Sequence, residues 1–429
     1  MLRIVRKSDK KNQWIPANIY KTSFYNIIEK SGTYVAIYNS ASGAIAIGEN
    51  FPFEVECLPE CEIKALVENG FLVNSETEEF EQYFSTLEFK QKSIVDFFTI
   101  ILTTACNAHC FYCYEKEYSV KNICEKSHIK IVDYLEKKII SLDKFVLDWY
   151  GGEPLLCVNE IDKIIADLKK RVDFSNKKWI STLTTNATLF SKELIEHAKE
   201  YWNLKLVHIT IDGVEEEHNI RKNITDAKES AFFKTCTAIQ GLLDMEISVN
   251  LRIHMDNENK NSFPQILQSI KKFLMYKNFY LFPTFLFPPE YSMPETYITD
   301  CQKEQLFYDV FEAIDRSEYH LRLPEIFPKP KKQNCFATKN NTVVISPDGS
   351  LHACVQEFFG SSSNEKFADY SQYCIECRSC RYFPICLGGC IHNRSLKGTV
   401  RTPCVRNRFV IHPLLKILLE REQKIGEVI

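Results

Sequence analysis

The sequence predicts an α/β fold: a partial (β/α)6 barrel, preceded by a small winged-helix-like module and followed by a cysteine-rich domain. From residue 95, six β-rich runs alternate with amphipathic helical segments, as in parallel sheets with crossover helices. Before residue 90, strand-like runs precede helical patterns. Beyond about residue 325, Cys, Pro, Gly and Asn are frequent and long periodic runs are few.

The length of 429 residues exceeds what one hydrophobic core usually serves. We therefore expect three domains, at residues 1–92, 93–325 and 326–429. Hydrophobic residues at 45% and charged residues at 25% are typical of a folded globular protein. A net charge of -3 without a long basic stripe argues against a nucleic-acid partner.

The N-terminus lacks the apolar core of a signal peptide, and the most apolar stretch, residues 279–289, is short and interrupted by prolines. We therefore expect a cytoplasmic protein without a membrane partner. Seventeen cysteines in a reducing compartment indicate metal ligands where they cluster. We interpret six scattered cysteines as structural thiols: Cys57, Cys61, Cys124, Cys157, Cys236 and Cys301.

The N-terminal module is predicted to contain three strands, at 24–28, 33–39 and 43–48, followed by helices near 62–70 and 77–84. The barrel is predicted to contain six strands, each followed by a helical segment. These strands are 97–104, 144–150, 179–185, 205–211, 247–253 and 279–286. Right-handed crossovers would bring their carboxyl ends to one edge, where ligands collect.

Polar and apolar residues alternate along the fourth and fifth barrel strands. Because the outward face packs on helices, we expect the polar residues to face the lumen. They are His208, Thr210 and Asp212 in the fourth strand, and Ser248, Asn250, Arg252 and His254 in the fifth.

Three cysteines with C-x3-C-x2-C spacing, Cys106, Cys110 and Cys113, follow the first barrel strand. Three thiolates would leave one iron of a 4Fe-4S cluster open. A structural zinc site with nearby His109 as the fourth ligand is the alternative.

A second motif, Gly151-Gly152-Glu153-Pro154, follows the second barrel strand. Its glycines lack a Cβ, so the backbone can approach a ligand closely, and Glu153 suits a protonated amine. By itself this motif is equally compatible with an ordinary glycine-rich turn.

The cysteine motif, in its place after the first strand, resembles that of the radical S-adenosylmethionine (SAM) superfamily, and Gly151-Gly152-Glu153-Pro154 resembles the GGEP motif of the same family. Thr184-Thr185-Asn186 resembles its TTN segment. Ile209 to Gly213, with His218 and Arg221, resembles its ISxDG...H...R segment, although the spacing from His218 to Arg221 is one residue shorter than the commonest form. The resemblance implies that SAM chelates the open iron. The SAM contacts that it implies are Gly151, Gly152, Glu153, Pro154, Asn186, Thr210 and Arg221.

Eight cysteines between residues 335 and 404 resemble the SPASM domain of radical SAM peptide maturases. The likeness implies one auxiliary cluster held by Cys377, Cys380, Cys386 and Cys404. A second would be held by Cys335, Cys354 and Cys390, with Cys374 as an extra candidate ligand. The implied cofactors are SAM and three 4Fe-4S clusters; a pair of zinc ribbons in this region is the alternative.

The resemblance implies an enzyme that cleaves SAM to a 5'-deoxyadenosyl radical and installs a thioether or carbon-carbon cross-link, or a related oxidation, in a ribosomally made precursor peptide. The N-terminal module would bind the leader sequence as an added strand, or serve only as a scaffolding cap. A flavodoxin- or ferredoxin-type protein would be the reductant.

The alternative enzyme is an anaerobic sulfatase maturase, which makes formylglycine. Such enzymes carry a catalytic Asp directly after the second SPASM cysteine, where this chain has Val355. Gln356 and Glu357 lie close by and are the candidates for a displaced base. An iron-sulfur electron carrier or zinc-held binding module is the non-enzymatic alternative.

Overall fold

The computed structural model describes residues 2–15, 19–49, 55, 58–87, 95–115, 119–225, 228–286, 298–316, 323–332, 335, 337, 339, 341–359, 375–390 and 406–426. The chain divides into two compact units. The first comprises Met1–Phe89, Thr299–Cys335 and Ala368–Ile429, and the second comprises Lys90–Ile298 and Phe336–Phe367. The domain boundaries expected from the sequence, at 92 and 325, stay predictions.

The first unit contains a four-stranded antiparallel sheet in the order β1-β5-β4-β3. Its strands are β1 (Leu2–Arg6), β3 (Asn26–Ser31), β4 (Tyr34–Asn39) and β5 (Ile45–Glu49). Two short strands, β2 (Tyr20–Thr22) and β6 (Leu72–Asn74), form a separate antiparallel pair. The three predicted strands therefore form, whereas β1, β2 and β6 were not predicted.

Two helices follow these strands, α1 (Glu60–Glu68) and α2 (Glu79–Ser85), close to where the sequence predicts them. Leu66 and Val67 of α1 pack against Val35 and Ile37 of β4 in a buried cluster. β4 is buried along its length after Tyr34, and the apolar face of α1 packs against it.

The C-terminal part of the first unit packs on the same sheet. The last helix, α15 (Ile411–Gly426), contacts β3, β4 and the helix α9 (Asp300–Arg316). Gln423 Nε2 donates to the Ser31 carbonyl at 3.0 Å. Residues more than 380 positions apart in the sequence therefore share one core.

The second unit is built on an eight-stranded sheet in the order β12-β11-β10-β9-β8-β7-β13-β14. The pairs from β12 to β13 are parallel, and β14 is antiparallel to β13. The six predicted strands are confirmed as β7 (Asp96–Thr103), β8 (Lys144–Gly151), β9 (Lys178–Thr185), β10 (Leu204–Ile211), β11 (Ser248–Met255) and β12 (Phe279–Phe285).

Two further strands extend this sheet, β13 (Thr342–Ile345) and β14 (Leu351–His352). Neither strand was predicted, because the run is short and lies among cysteines. Their signal is an apolar run followed by a turn at Gly349, whose φ of +79° favours glycine.

The described helices of the second unit are α3 (Glu125–Ile139), α4 (Val158–Arg171), α5 (Lys192–Glu200), α6 (Glu215–Lys222), α7 (Ala231–Asp244), α8 (Phe263–Ile270) and α11 (Val355–Phe359). The remaining helices, in the first unit, are α10 (Leu323–Ile326), α12 (Ile375–Arg378), α13 (Phe383–Cys386) and α14 (Arg406–Phe409). Where the chain is described, no helix has the length and apolar character needed to cross a membrane.

The predicted alternation along β10 is confirmed. Val207, Ile209 and Ile211 are buried, whereas His208 and Thr210 on the opposite face are only partly buried. The amphipathic helix α4 buries its apolar face in the same way, with Ile161, Ile164, Ile165 and Leu168 fully enclosed. Burial of one face therefore determines the strand register and leaves the other face for polar groups.

Candidate functional site

The predicted cysteine loop follows β7, and its three thiols are free and partly buried. The loop is tied to the end of α6, because the backbone N–H of His109 donates to the Lys222 carbonyl at 2.9 Å. Burial raises the pKa of Cys106 to about 12 and the pKa of Cys113 to about 11. These thiols would thus ionise on binding a metal that competes with the proton.

The two glycines at the end of β8 pack on the segment that leads into this loop. The N–H of Gly152 donates to the Thr103 carbonyl at 2.9 Å, and the N–H of Glu153 donates to the Ala105 carbonyl at 2.9 Å. A Cβ at Gly151 would lie 2.3 Å from the Thr103 oxygen, and one at Gly152 would lie 2.3 Å from the Ala105 oxygen. The two glycines therefore allow a close approach of two backbone segments, and their contact with SAM stays a prediction.

Glu153 is fully buried and links the second and third strands. One carboxylate oxygen accepts hydrogen bonds from Thr185 Oγ1 at 2.7 Å and Leu155 N at 3.0 Å, and the other accepts from Asn186 N at 2.9 Å. Burial raises the pKa of Glu153, and these donors act against that rise. Pro154 begins the 3-10 helix Pro154–Cys157, whose first turn the carboxylate caps.

Asn186 lies beside the cysteine loop, as the sequence predicts for residues at strand ends. Its Nδ2 donates to Asn107 Oδ1 at 2.7 Å and lies 4.0 Å from Cys106 Sγ. Asn107 in turn donates to Thr188 Oγ1 at 3.0 Å. The structure therefore brings Cys106, Asn186 and Glu153 together.

The guanidinium of Arg221 is held by two carboxylates. It forms a bidentate pair with Asp256 at 2.8 and 2.9 Å and a third bond with Glu258 Oε2 at 2.9 Å. It also lies over the Phe111 ring at 5.5 Å. These bonds use three of its five N–H donors. Thr210 lies on β10 in register with Arg252. Contact of Arg221 and Thr210 with SAM stays a prediction.

A buried network behind Cys110 was not predicted. Lys222 Nζ lies 3.1 Å from Asp212 Oδ2 and donates to the Tyr112 hydroxyl at 3.1 Å. Tyr112 donates to Asp212 at 2.7 Å. Burial alone would raise the pKa of Asp212, but the Lys222 ammonium holds it well below its usual range. Asp212 was noted in the sequence as a lumen residue, whereas no sequence pattern distinguishes Lys222 from a surface lysine.

A carboxylate that the sequence did not single out lies in the middle of the sheet. Asp148 of β8 accepts from Thr99 Oγ1 at 2.9 Å and from Thr182 Oγ1 at 2.6 Å. Burial raises its pKa to about 6, and the two hydroxyls act against that rise. The three residues are in register on neighbouring strands, which places them on one face.

The structure describes six of the eight C-terminal cysteines. Cys377, Cys380 and Cys386 lie in residues 377–386 of the first unit, a segment that we call the cysteine turn. Within it, Cys380 N donates to the Cys377 carbonyl at 3.3 Å. Cys335 and Cys390 belong to the same unit, and Cys354 belongs to the second. Cys57, Cys374 and Cys404 lie outside the described residues.

The donor set fits an iron-sulfur cluster at the end of β7, because three soft thiols on one loop leave one vertex open. In the ranges that the structure covers, no group of three or more His, Cys, Asp or Glu side chains is placed to hold a single metal ion. A 4Fe-4S cluster is larger than one ion and takes more widely spaced ligands.

Residues 100–270 match the model of the radical SAM superfamily. The cysteine-type anaerobic sulfatase-maturating enzyme of Clostridium perfringens (strain 13 / Type A) is 24% identical over 335 residues, 69% of this chain and 88% of that protein. An uncharacterised protein of Methanocaldococcus jannaschii is 25% identical over 254 residues, 59% of this chain and 82% of that protein.

Among solved structures, native anSMEcpe with bound AdoMet and Cp18Cys peptide is similar with a TM-score of 0.57 at 18% identity. The likeness covers 77% of this chain and 99% of that one. It shows that the two chains share a fold.

Proposed function

Because this chain is a radical SAM enzyme, we propose that it matures a ribosomally made precursor peptide by installing a thioether or carbon-carbon cross-link. The observation that carries the SAM chemistry is the loop with three free thiols, Cys106, Cys110 and Cys113, placed directly beside Asn186 and Glu153. Three 4Fe-4S clusters and a flavodoxin- or ferredoxin-type reductant complete the proposal.

When bound, SAM and its cluster would supply a 5'-deoxyadenosyl radical that removes a hydrogen atom from carbon. In this proposal the backbone of residues 151–154 and the side chain of Asn186 orient SAM. Thr210 and Arg221 add contacts, and Arg221 has two N–H donors left beside its bonds to Asp256 and Glu258. Lys222 contributes a buried positive charge next to Cys110.

The choice of a cross-link over formylglycine is supported by Val355. It packs with Phe358 against Ile101 and Val344, in an apolar cluster that also contacts Tyr114 and Tyr150. A side chain in this environment cannot remove a proton from a substrate. The first residue after Cys354 therefore contributes packing and not a base.

Formylglycine formation is the second candidate, because the Clostridium perfringens relative is named a sulfatase-maturating enzyme and is similar over 69% of this chain. Both candidates act on peptides. The similar solved structure contains a peptide together with AdoMet, which supports a peptide substrate here.

We assign leader recognition to the edge strand β1 of the first unit. The sheet has two edges, β1 and β3. On β3, the Asn26 and Ser31 carbonyls accept hydrogen bonds from Arg381 and Gln423. β1 pairs with β5 on one side, and an extended leader would add to its other side through main-chain hydrogen bonds.

The test is anaerobic reconstitution, reduction with dithionite and addition of SAM. We expect 5'-deoxyadenosine from the native chain and none from the Cys106→Ala/Cys110→Ala/Cys113→Ala variant. Deoxyadenosine at the normal rate from that variant would overturn the proposal.

Precursor peptides encoded by neighbouring genes are then incubated with the enzyme, and the masses of the products are measured by mass spectrometry. Loss of two hydrogens per modification without a new aldehyde that reacts with a hydrazine probe supports the cross-link, because a serine converted to formylglycine also loses two hydrogens. Exchange of one sulfur for oxygen with loss of two hydrogens identifies formylglycine and replaces the first candidate by the second.

A further inference from the structure

Helix α2 presents an aromatic face to the turn that carries three C-terminal cysteines. Leu87, Phe383 and Leu387 form a buried cluster in the first unit. Cys377 and Cys380 pack against it, as do three aromatic residues of α2, which are Phe80, Tyr83 and Phe84. The cysteines and the aromatic face therefore share one apolar core.

The ring geometry shows that this contact is close. The centroids of Phe80 and Phe383 are 5.1 Å apart, and the Phe80 and Phe84 rings are stacked at 5.4 Å. Tyr83 meets Phe383 edge-on at 6.3 Å. Such separations lie within the favourable range for aromatic pairs.

The Tyr83 hydroxyl fixes two cysteine-bearing segments at once. Its single hydrogen is shared between the Lys331 carbonyl at 2.8 Å and the Pro384 carbonyl at 3.1 Å. Pro384 lies between Cys380 and Cys386, and Lys331 lies four residues before Cys335. A third bond, from Lys331 N to the Pro384 carbonyl at 2.8 Å, joins the two segments directly.

The opposite side of the same turn is held by the N-terminal sheet. Ser40 Oγ donates to the Arg381 carbonyl, and Arg381 Nη1 donates to the Asn26 carbonyl at 3.3 Å. Next to it, the Tyr382 hydroxyl is hydrogen-bonded to His412 at 2.8 Å. The cysteine turn is thus supported on two sides by residues from the first 87 positions and by the last helix.

We propose that α2 forms the wall of the auxiliary-cluster site at Cys377, Cys380 and Cys386, with Phe84 excluding water and Tyr83 positioning the turn. The inference rests on the proposed function, which places a cluster on these cysteines. Solvent exposure and hydrogen bonding set the reduction potential of such clusters. An apolar wall that excludes water disfavours the more negatively charged reduced state of the cluster. It therefore keeps the reduction potential of the cluster low.

The test compares Phe84→Ala and Tyr83→Phe in the full-length chain that carries Ala at positions 106, 110 and 113. This background removes the SAM cluster, so that only auxiliary clusters contribute to an EPR-monitored redox titration. We expect Phe84→Ala to shift one auxiliary signal to a less negative potential. We expect Tyr83→Phe, which keeps the ring, to change the line shape of that signal and to accelerate loss of iron to a chelator several-fold.

The matched control is Tyr308→Phe, which removes a hydroxyl that donates to Glu420 in the same unit. The inference would be overturned if both α2 variants had the same reduction potentials, EPR line shapes and rates of iron loss as Tyr308→Phe. If Phe84→Ala does not fold, the conservative variant Tyr83→Phe tests the inference by itself. A background protein without bound iron would contradict the proposed function itself, and this inference with it.

Discussion

At the scale of single residues, the glycines after β8 connect backbone packing to the cysteine loop. In Gly152→Ala the new Cβ meets the Ala105 carbonyl oxygen at 2.3 Å, so one of the two backbone segments must shift. We expect destabilisation of about 2 kcal/mol or more and a loss of iron from the SAM-cluster loop. Thermal unfolding and iron analysis would measure both effects.

Gly241→Ala is the matched control on α7. A Cβ there would meet only the end of the Ile195 side chain, at 2.9 Å, and alanine favours a helix. This variant should keep its iron and its stability. Equal behaviour of the two variants would contradict the role assigned to Gly152.

The ion pair between Lys222 and Asp212 gives a second residue-scale prediction. Lys222→Met leaves the Asp212 carboxylate buried without its cation, which typically costs about 3–5 kcal/mol. In that variant burial would raise the pKa of Asp212, so protonation should relieve part of the loss as the pH falls from 8 to 5. Thermal midpoints across this range test the effect, and Lys222→Met/Asp212→Asn should recover much of the stability. A single variant as stable as the native chain would refute the pairing.

Because of Asp148, the stability of the folded chain should change with pH in the direction opposite to that expected from a surface carboxylate in an ion pair. Its pKa in the folded chain is raised to about 6, so its contribution to stability is complete below its unfolded pKa and is lost as the pH rises through about 6. The free energy of unfolding of Asp148→Asn should therefore exceed that of the native chain by on the order of 2 kcal/mol at pH 8, and should differ little from it at pH 4. Thermal midpoints at these two values measure the difference.

The control for Asp148 is Asp133→Asn. This carboxylate is 48% exposed and pairs with Arg171 at the surface. Its removal should leave the difference between the thermal midpoints at pH 4 and pH 8 as it is in the native chain. A flat response of Asp148→Asn would show that the buried carboxylate does not titrate in this range.

At the scale of elements, β13 extends the sheet beside the strand that leads to the cysteine loop. Val344 is buried against Ile101 and lies in register with Thr99 of β7. In Val344→Asp an unpaired charge would enter this contact, at a cost of several kcal/mol. We expect β13 to detach, the thermal midpoint to fall and 5'-deoxyadenosine formation to decrease. Leu351→Asp on the 49% exposed position of β14 should have none of these effects, and matching losses would argue against the role of β13.

Helix α2 is the second element whose position matters. Its contacts with the cysteine turn lie within one compact unit that combines the beginning and the end of the chain. Removing residues 1–90 would therefore take away the support of Cys377 and Cys380 together with any leader-binding strand. Single substitutions in α2 separate these two roles, whereas truncation does not.

At the scale of the whole molecule, the cysteines predict the metal content. Three 4Fe-4S clusters require about twelve irons per anaerobically reconstituted chain, and the variant with Ala at 106, 110 and 113 should retain about eight. Iron and acid-labile sulfide analysis measures both values. A colourless protein that contains only zinc would contradict the cluster assignment.

The sequence alone predicts the six parallel strands, the alternation along β10 and the three-cysteine loop, because strand periodicity and motif spacing are properties of neighbouring residues. The place of Asn186 beside Cys106 follows from the rule that strand ends meet at one edge. These features need no knowledge of which distant segments touch.

The tertiary structure decided what depends on such distant contacts. It shows that Gly151 and Gly152 make room for a neighbouring backbone, that Arg221 pairs with Asp256, and that Lys222 is the buried cation behind Cys110. It also joins α2 to the cysteine turn about 300 positions away. Each of these contacts depends on which chain segments pack side by side, and that is determined by burial of apolar surface over the whole chain rather than by any local pattern.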